Sequence, residues 1–271
     1  MKSNELIIYS DLDGTMLTDW ERGPYVPKEN LNAIKRFISE GGLFSIASGR
    51  HYRDSQALFE GITFPVPMVL VNGAILCESG SGRVMKKTPL PERVKHECLD
   101  YRNGRSDLWL VAADEHATHL VGAEDAPWDH SFKARTRPIM TEREYLSREL
   151  LKACVVVSDS EDVPDVTADL KAFDSADMFR MTQSSPVFLE IVEKSVGKAS
   201  GITEAVRLAN AGGRKLVCIG DYDNDVDMLA MADIAACPSN SLPSVLDMAE
   251  IVTCSNNEGA IADLIQTLGR L

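Results

Sequence analysis

Short apolar runs alternate with longer segments of helical periodicity in the first and last thirds of the chain, and this alternation constrains the fold more than any other feature. The apolar runs are residues 6–9, 43–47, 68–71, 216–219, 234–236 and 251–253, and the helical segments are residues 27–40, 53–59, 198–211 and 226–231. Continuous apolar strands that alternate with helices are typical of a parallel sheet with helices on both faces. The two ends of the sequence therefore predict one α/β core.

The middle of the chain has a different pattern. Hairpin-like strand pairs are predicted at residues 108–112 with 118–121 and at residues 178–182 with 187–192, and a further strand at residues 153–157. Helices are predicted between them, at residues 92–101, 142–150 and 163–173. Hairpins interleaved with helices indicate an α+β domain with a mostly antiparallel sheet. We therefore expect a core of residues 1–83 and 190–271, interrupted by an inserted α+β domain of residues 84–189.

Composition restricts the class of protein and its partners. A chain of 271 residues is long enough for one large or two modest domains. Its 44% hydrophobic and 25% charged residues are typical of a packed domain, which excludes a disordered chain or a fibre. The 28 basic and 41 acidic residues leave a net charge of −13. Such a chain repels phosphate backbones and anionic lipid, so a nucleic-acid or membrane-surface role is disfavoured.

The cysteines and the N-terminal residues predict a cytoplasmic protein. None of the six cysteines forms a Cys-x-x-Cys pair, and several lie in apolar runs, which indicates reduced, buried thiols. The first ten residues contain an apolar run of only four, which is shorter than the core of a secretory signal. We therefore expect no signal peptide and no membrane span.

Two carboxylates directly follow the first predicted strand. Asp11 and Asp13 are separated by one residue and are followed by Gly14, which permits a sharp turn. In open parallel sheets, ligands bind beyond the carboxyl ends of the strands. Like charges this close raise one another's pKa and destabilise the fold unless a cation lies between them. A solvated acidic turn is the structural alternative, but a ligand site explains the pair better.

A second acidic cluster follows the fourth predicted core strand, at the same edge of the sheet. It contains Asp221, Asp223 and Asp225. Oxygen donors at this density favour Mg²⁺ over Zn²⁺, because no His or Cys is placed to help. The alternate spacing also resembles a calcium loop, but Val226 and Ala232 occupy the positions where an EF-hand needs Gly and Glu. Together the two clusters predict a Mg²⁺ site.

Two further segments could bind an anion. Ser48 and Gly49 follow the second predicted strand, where a hydroxyl and backbone N–H groups can donate to a phosphate. Lys198 opens a helix, where a cation opposes the helix dipole unless an anion lies nearby. Each signal is weak alone, because Ser-Gly is also ordinary turn chemistry and a single lysine can be solvated. No Walker loop or G-x-G-x-x-G motif is present, so no dinucleotide site is predicted.

In this order, the four segments resemble the haloacid dehalogenase (HAD) superfamily. The motifs are Asp-x-Asp-Gly-Thr at residues 11–15, Ser-Gly-Arg at residues 48–50, a lysine after the insert, and Gly-Asp-x-x-Asn-Asp at residues 220–225. The insert between the second and third motifs is similar to the C2-type cap of the Cof-type phosphatases. The resemblance implies a HAD-like core, which is a Rossmann-like three-layer parallel sheet, with an inserted α+β cap domain.

The resemblance also implies a Mg²⁺-dependent phosphatase that hydrolyses small phosphomonoesters, such as sugar phosphates, through an aspartyl-phosphate. Asp11 would be the nucleophile, and Asp13 the general acid and base. The implied metal ligands are Asp11, the backbone carbonyl of Asp13, Asp221 and Asp225, the last either directly or through water. The implied phosphate-binding residues are Leu12, Ser48, Gly49, Lys198 and Asn224. An anionic nucleophile that approaches an anionic phosphate needs such cations, and a second carboxyl must carry the proton.

Three departures from the family pattern remove no chemical group. Ser48 occupies a position where threonine is common, and Gly-Lys-Ala surrounds Lys198 where Ser-Lys-Gly is usual. The segment 18–27, with Trp20 and Arg22, is longer than the turn that normally follows the first motif. The implied mechanism is therefore unchanged.

The insert is expected to select the substrate, because all four motifs lie outside it. Its candidate contacts are in an irregular stretch and comprise Trp128, His130, Arg135 and Arg137. Solvated surface positions are the alternative for each of them. The sequence identifies neither the phosphorylated metabolite that is the expected partner nor the oligomeric state.

Other functions stay open at this point. A sugar phosphomutase of the same superfamily would share Asp11 and Asp13 but would return the phosphoryl group to the sugar. A binding protein with a vestigial site is a second alternative, although the intact set of acidic residues argues against it. A fragment of a P-type ion pump is excluded because no apolar run is long enough to span a bilayer.

Overall fold

The computed structural model describes residues 1–19, 23–59, 61–122 and 138–271, and the chain divides into two compact units. The first unit contains Met1–Lys86 and Gly197–Leu271, and the second contains Lys87–Val196. The strands are β1 (Leu6–Ser10), β2 (Leu43–Ile46), β3 (Met68–Leu70), β4 (Ile75–Cys77), β5 (Val84–Lys87), β6 (Leu108–Ala113), β7 (Thr118–Val121), β8 (Ile139–Met140), β9 (Lys152–Val157), β10 (Phe179–Ser185), β11 (Phe188–Glu193), β12 (Lys215–Ile219), β13 (Ile234–Pro238) and β14 (Ile251–Thr253). The α-helices of the described residues are α1 (Lys28–Ser39), α2 (Tyr52–Gln56), α3 (Glu92–Asn103), α4 (Glu142–Ser147), α5 (Val163–Lys171), α6 (Lys198–Leu208), α7 (Val226–Met231), α8 (Pro243–Leu246) and α9 (Ala260–Leu268).

The first unit is built on a five-stranded parallel sheet with the order β14-β13-β12-β1-β2. All five residues of β1 are buried, as expected for a central strand covered on both faces. Ile7 and Tyr9 of this strand pack in one apolar cluster with Ile202 of α6 and Met228 of α7. The predicted parallel core is therefore present, and its carboxyl ends all lie at one edge of the sheet.

The sequence-based prediction was partly wrong about the third apolar run, where a strand forms but lies outside the five-stranded sheet. We expected residues 68–71 to form a core strand, but β3 ends at Leu70 and pairs antiparallel with β4 in a separate three-stranded sheet. Only a single parallel bridge, from Ala47 to Val69, links β3 to the end of β2. The strand stops because Val71 and Asn72 have φ angles of +51° and +55°, in the left-handed region that a strand cannot contain. Strands β4 and β5 and helices α8 and α9 were not predicted.

The second unit contains a six-stranded sheet with the order β10-β11-β9-β6-β7-β8. Its strand pairs are antiparallel apart from β7 with β8. Helices α3, α4 and α5 pack on the sheet in one apolar cluster that includes Val94, Leu110, Tyr145, Val155 and Val166. This is the α+β arrangement that the hairpin pattern predicts. β11 spans residue 190, at the sequence-derived boundary, and pairs with β9 and β10 of the second unit.

Across residues 1–19, 23–59, 61–122 and 138–271, no helix combines the length and the apolar character that a membrane crossing requires.

Candidate active site

The predicted site residues follow three neighbouring strands of the first unit. Asp11 follows β1, Ser48 follows β2 and Asp221 follows β12. The backbone N–H of Asp11 donates to Ile219 O at 2.9 Å, and the N–H of Ala47 donates to Ser10 O at 2.8 Å. These bonds extend the ladder by one residue on each side of β1, so the ends of the three strands are in register. The carboxyl edge of the sheet therefore brings the first, second and fourth motifs together.

Gly14 allows the segment after β1 to turn back towards Asp221. Its φ is +79°, a conformation that glycine adopts without strain. A Cβ atom at this position would overlap the Asp221 carboxylate. The next residue, Thr15, donates from Oγ1 to Asp221 Oδ1 at 2.5 Å. The first motif thus contacts the fourth motif directly, and the glycine is needed for this close approach.

Lys198 is the first residue of α6 and is 1% exposed. Its Nζ lies 2.6 Å from Asp11 Oδ1 and 2.5 Å from Asp225 Oδ1. The start of α6 is fixed by the turn after β3, because Gly73 lies against the Gly197 carbonyl with no room for a Cβ atom. Lys198 therefore joins the first and fourth motifs, which are 187 and 27 residues away from it along the chain.

The carboxylates of Asp11, Asp221 and Asp225 are all buried, and one oxygen of each lies within 4.8 Å of the others. Burial raises the pKa of Asp11 well above its usual range, and the neighbouring carboxylates of Asp225 and Asp221 add to the effect, against the opposing charge of Lys198. Burial and Asp225 likewise raise the pKa of Asp221 to about 7. The pKa of Lys198, which burial alone would lower, is raised by Asp11 and Asp225.

The charges of this cluster fit a divalent cation. When ionised, the three carboxylates and one ammonium leave two negative charges in a buried site. Carboxylate oxygens are the donors that Mg²⁺ prefers, and an ion of charge +2 would balance the excess. The donor set therefore suits Mg²⁺, as the sequence predicts.

Asp225 differs from the other two carboxylates in having both oxygens occupied. Its Oδ1 pairs with Lys198, and its Oδ2 accepts from the backbone N–H groups of Asp221 at 2.9 Å and Tyr222 at 3.2 Å. The side chain is 0% exposed. Asp225 therefore orients Lys198 and the start of the Asp221 loop.

Asp13 pairs with an arginine, whereas Asp11 and Asp225 pair with Lys198. Arg50 pairs with Asp13 through two bonds, from Nε to Oδ2 at 2.7 Å and from Nη2 to Oδ1. The Arg50 side chain is 9% exposed and that of Asp13 is 40% exposed. A two-point guanidinium–carboxylate pair fixes the orientation of the carboxylate. Arg50 belongs to the Ser-Gly-Arg motif, but no role was predicted for it. Its position beside Ser48 and Gly49 was the available signal.

The predicted phosphate-binding residues lie around the same edge. Ser48 is buried, and its Oγ accepts from the Arg50 N–H at 3.2 Å, which leaves the hydroxyl hydrogen to donate. Leu12 is buried directly after Asp11, and Gly49 and Asn224 are half-buried. Trp20, Arg22 and the candidate insert residues Trp128, His130, Arg135 and Arg137 lie outside the described residues.

Comparison with known proteins identifies the family of this chain. Residues 8–265 match the family described as haloacid dehalogenase-like hydrolase. The chain belongs to this family. YxeH of Bacillus subtilis, named as a candidate phosphatase, is 32% identical to this HAD hydrolase over 270 residues, covering 97% of each protein. YitU of the same organism, a 5-amino-6-(5-phospho-D-ribitylamino)uracil phosphatase, is 25% identical over 279 residues and covers 98% of each.

A solved structure shares the fold of this HAD hydrolase. The haloacid dehalogenase-like hydrolase from B. subtilis has a TM-score of 0.83 at 18% identity, with 97% of this chain and 99% of that chain covered. The predicted fold class and the family resemblance are therefore confirmed, and with them the prediction of an enzyme.

Proposed function

We propose that this HAD hydrolase is a Mg²⁺-dependent phosphatase that cleaves small phosphomonoesters through an aspartyl-phosphate on Asp11. The observation that carries the proposal is the buried Asp11 carboxylate bonded to Lys198, in a cluster with two excess negative charges. A phosphoryl group needs both a nucleophile and compensating cations, and this cluster offers both. YitU, which is named for a phosphorylated metabolite, supports a small phosphomonoester as substrate.

The metal would be bound by Asp11, the backbone carbonyl of Asp13, and Asp221, with Asp225 acting through water because its oxygens are already hydrogen-bonded. When bound, Mg²⁺ supplies positive charge that offsets the repulsion between the carboxylate and the phosphate. Lys198 adds a further positive charge beside Asp11. Ser48 would donate its hydroxyl hydrogen to a phosphoryl oxygen, together with backbone N–H groups of Leu12 and Gly49 and the amide of Asn224.

In the first step, a carboxylate oxygen of Asp11 forms a bond to phosphorus while the bond to the ester oxygen breaks. Asp13 gives a proton to the departing oxygen, so the product leaves as an alcohol. In the second step, Asp13 takes a proton from water, whose oxygen attacks the same phosphorus and displaces Asp11. Inorganic phosphate is released and both carboxyl groups return to their initial states. Arg50 pairs with the ionised form of Asp13, which is the form that takes the proton from water in the second step.

We further propose that residues 84–189 select among phosphomonoesters as a cap domain, while residues 1–83 and 190–271 carry the chemistry. The support for this division is the sequence itself, since every motif lies outside the insert. We expect the enzyme to act in the cytoplasm on small phosphorylated metabolites.

The test is phosphate release from a panel of phosphorylated sugars, nucleotides and cofactors, with Mg²⁺ and without any bisphosphate. The wild type should release phosphate catalytically from at least one ester, and Asp11→Asn should not. Transfer of the phosphoryl group to another position of the sugar, without free phosphate, would instead show a phosphomutase. An Asp11→Asn variant that retains turnover would refute the assignment of the nucleophile.

A further inference from the structure

The segment that carries both motif carboxylates, residues 11–19, is here termed the Asp11 loop. The backbone N–H groups of Thr15, Met16 and Leu17 all donate to the single carbonyl of Leu12, at 3.4, 3.0 and 2.9 Å. The carbonyls of Gly14 and Leu17 accept instead from two asparagine side chains, 226 and 239 residues away along the chain. The conformation of the Asp11 loop therefore depends on residues near the end of the sequence.

The two asparagines follow the last two strands of the sheet. Asn240 comes after β13, and its Nδ2 donates to Gly14 O at 2.8 Å. Asn256 comes after β14, and its Nδ2 donates to Leu17 O at 2.8 Å. The backbone N–H of Asn256 also donates to Asn240 Oδ1 at 2.9 Å. The amide of Asn240 thus links the loop after β14 to the Asp11 loop.

Packing alone does not explain the amide of Asn256. The residue is 1% exposed, and its Nδ2 donates to both Leu17 O and Asp19 Oδ1, the latter at 2.9 Å. Its Oδ1 has no hydrogen-bond partner among the residues that the structure describes. An unsatisfied buried amide oxygen is unfavourable, so an apolar side chain would serve packing better. The two donated bonds are what this side chain contributes.

The bond from Asn240 acts at a sensitive position. Gly14 directly follows Asp13, and Thr15 on its other side donates to Asp221. Gly14 has a positive φ. Because glycine has little intrinsic preference for one backbone conformation, this one depends on the contacts around it. Because Gly14 directly follows Asp13, a movement of the Gly14 peptide would shift the Asp13 backbone, from which the carboxylate reaches Arg50.

We propose that Asn240 is a positioning residue for proton transfer, which acts by fixing the Gly14 carbonyl and thereby aiming Asp13 at the leaving oxygen. Asn256 keeps Asn240 in place. This inference rests on the proposed phosphatase function, in which Asp13 is the general acid.

The main variant is Asn240→Asp. It replaces the Nδ2 donor by an oxygen, so the bond to Gly14 O is lost, while an oxygen remains to accept from the Asn256 N–H. Asn240→Leu loses both bonds without adding a charge. Asn210→Asp is the control for the added charge, because Asn210 is exposed in the turn after α6, and no hydrogen bond joins its side chain to the described residues of the Asp11 loop.

The kinetic measurement is kcat/KM for an aryl phosphate and for the best alkyl phosphate of the panel. An alkyl ester needs a proton on its departing oxygen, whereas an aryl oxide leaves readily without one. Both Asn240 variants should lower kcat/KM for the alkyl ester by about tenfold or more, and for the aryl ester by less than about threefold. Asn210→Asp should change neither by more than about twofold.

Amide hydrogen exchange of residues 12–19 supplies a readout that does not depend on activity. Exchange should become faster in both Asn240 variants and should be unchanged in Asn210→Asp. The proposal would be overturned by unchanged exchange in the Asn240 variants, or by an equal loss of kcat/KM for both esters. A wild type that cleaves neither ester would refute the proposed function, and unchanged exchange would then still refute the fixing of the loop by Asn240.

Discussion

Each unit contains a buried cluster of charges, and the two clusters differ in whether those charges are balanced. In the first unit, Lys198 is the basic partner of Asp11 and Asp225, while Asp221 is paired with a hydroxyl group. Burial and mutual repulsion raise the pKa of Asp11 and of Asp221. This cluster therefore costs folding stability unless a cation binds to it.

The second unit arranges a buried carboxylate in the opposite way. Asp114 Oδ2 lies 2.9 Å from His119 Nε2 and 3.1 Å from Arg148 Nη1. Its Oδ1 accepts from the backbone N–H groups of His116 and Ala117, at 2.8 and 2.9 Å. Burial alone would raise the pKa of Asp114, but these hydrogen bonds and charges together lower it. The carboxylate stabilises the β6–β7 hairpin.

The difference separates the proposed reactive carboxylate, Asp11, from a structural one, Asp114. Asp11 and Asp114 are both buried and both have a basic partner, so burial and pairing alone do not identify the active site. The balance of charges distinguishes the two, because a cluster with excess negative charge fits a cation and a phosphate. Substitutions at matched positions of the two clusters should therefore have opposite effects.

The largest contrast is expected between Asp11→Asn and Asp114→Asn. Asp11→Asn should reduce turnover at least about 10⁴-fold, since an amide cannot form the aspartyl-phosphate. Without metal it should raise Tm by about 2–4 °C, as about 1 kcal/mol of repulsion is removed. Asp114→Asn should lower Tm by a similar amount and leave kcat within about threefold. Phosphate-release assays measure the turnover of both variants, and calorimetry in EDTA measures their Tm. A fall in Tm for Asp11→Asn would contradict the comparison.

Metal removal should affect the first cluster only. Saturating EDTA should stop hydrolysis, and Mg²⁺ should restore it, whereas Ca²⁺ should do so poorly because it prefers more and longer contacts than the near-octahedral Mg²⁺. At 100 times its Kd, Mg²⁺ should stabilise the wild type by about 2.7 kcal/mol. Asp221→Asn should lose most of this stabilisation and Asp114→Asn none of it. Full activity in EDTA would contradict the account of the site.

Two of the buried lysines, Lys198 and Lys95, offer a third comparison. Lys198→Ala should lower kcat/KM by about 10²–10³-fold for an aryl ester and a metabolite ester alike, because every substrate presents the same phosphoryl oxygens. Lys95 donates to Glu92 and to the carbonyls of Leu146 and Arg148, all within 3.2 Å. Lys95→Ala should therefore lower Tm with kcat/KM nearly unchanged. Urea unfolding and kinetics of both variants check this; a large kinetic effect at Lys95 would argue against it.

The smallest expected effect is the acid sensitivity of the second unit. The pKa of Asp114 lies below its ordinary value of 3.8 in the folded protein, so its contribution is present above about pH 4 and is lost as the pH falls through the folded pKa. The loss should be on the order of 1 kcal/mol and should be absent in Asp114→Asn. Unfolding curves between pH 5 and pH 2.5 for the two proteins measure it, and parallel curves would show that Asp114 contributes nothing.

Local sequence patterns determined the elements and motif positions of this HAD hydrolase. Apolar runs predicted β1, β2, β12, β13 and β14, because a strand buried on both faces must be apolar throughout. Since parallel strands end at one edge, the pattern also predicted that Asp11, Ser48 and Asp221 lie together. It failed at β3, where the left-handed conformations of Val71 and Asn72 end the strand, and nothing in an apolar run signals this.

Contacts between distant residues were decided only by the tertiary structure. Lys198 bonds to Asp11, Arg50 to Asp13, and Asn240 to Gly14 because the order β14-β13-β12-β1-β2 places these segments side by side. Periodicity reports which residues are buried, but not which strand lies beside which. The strand order is set by packing over the whole sheet. The sequence therefore determined which residue types form the site, and the fold decided which of them contact one another.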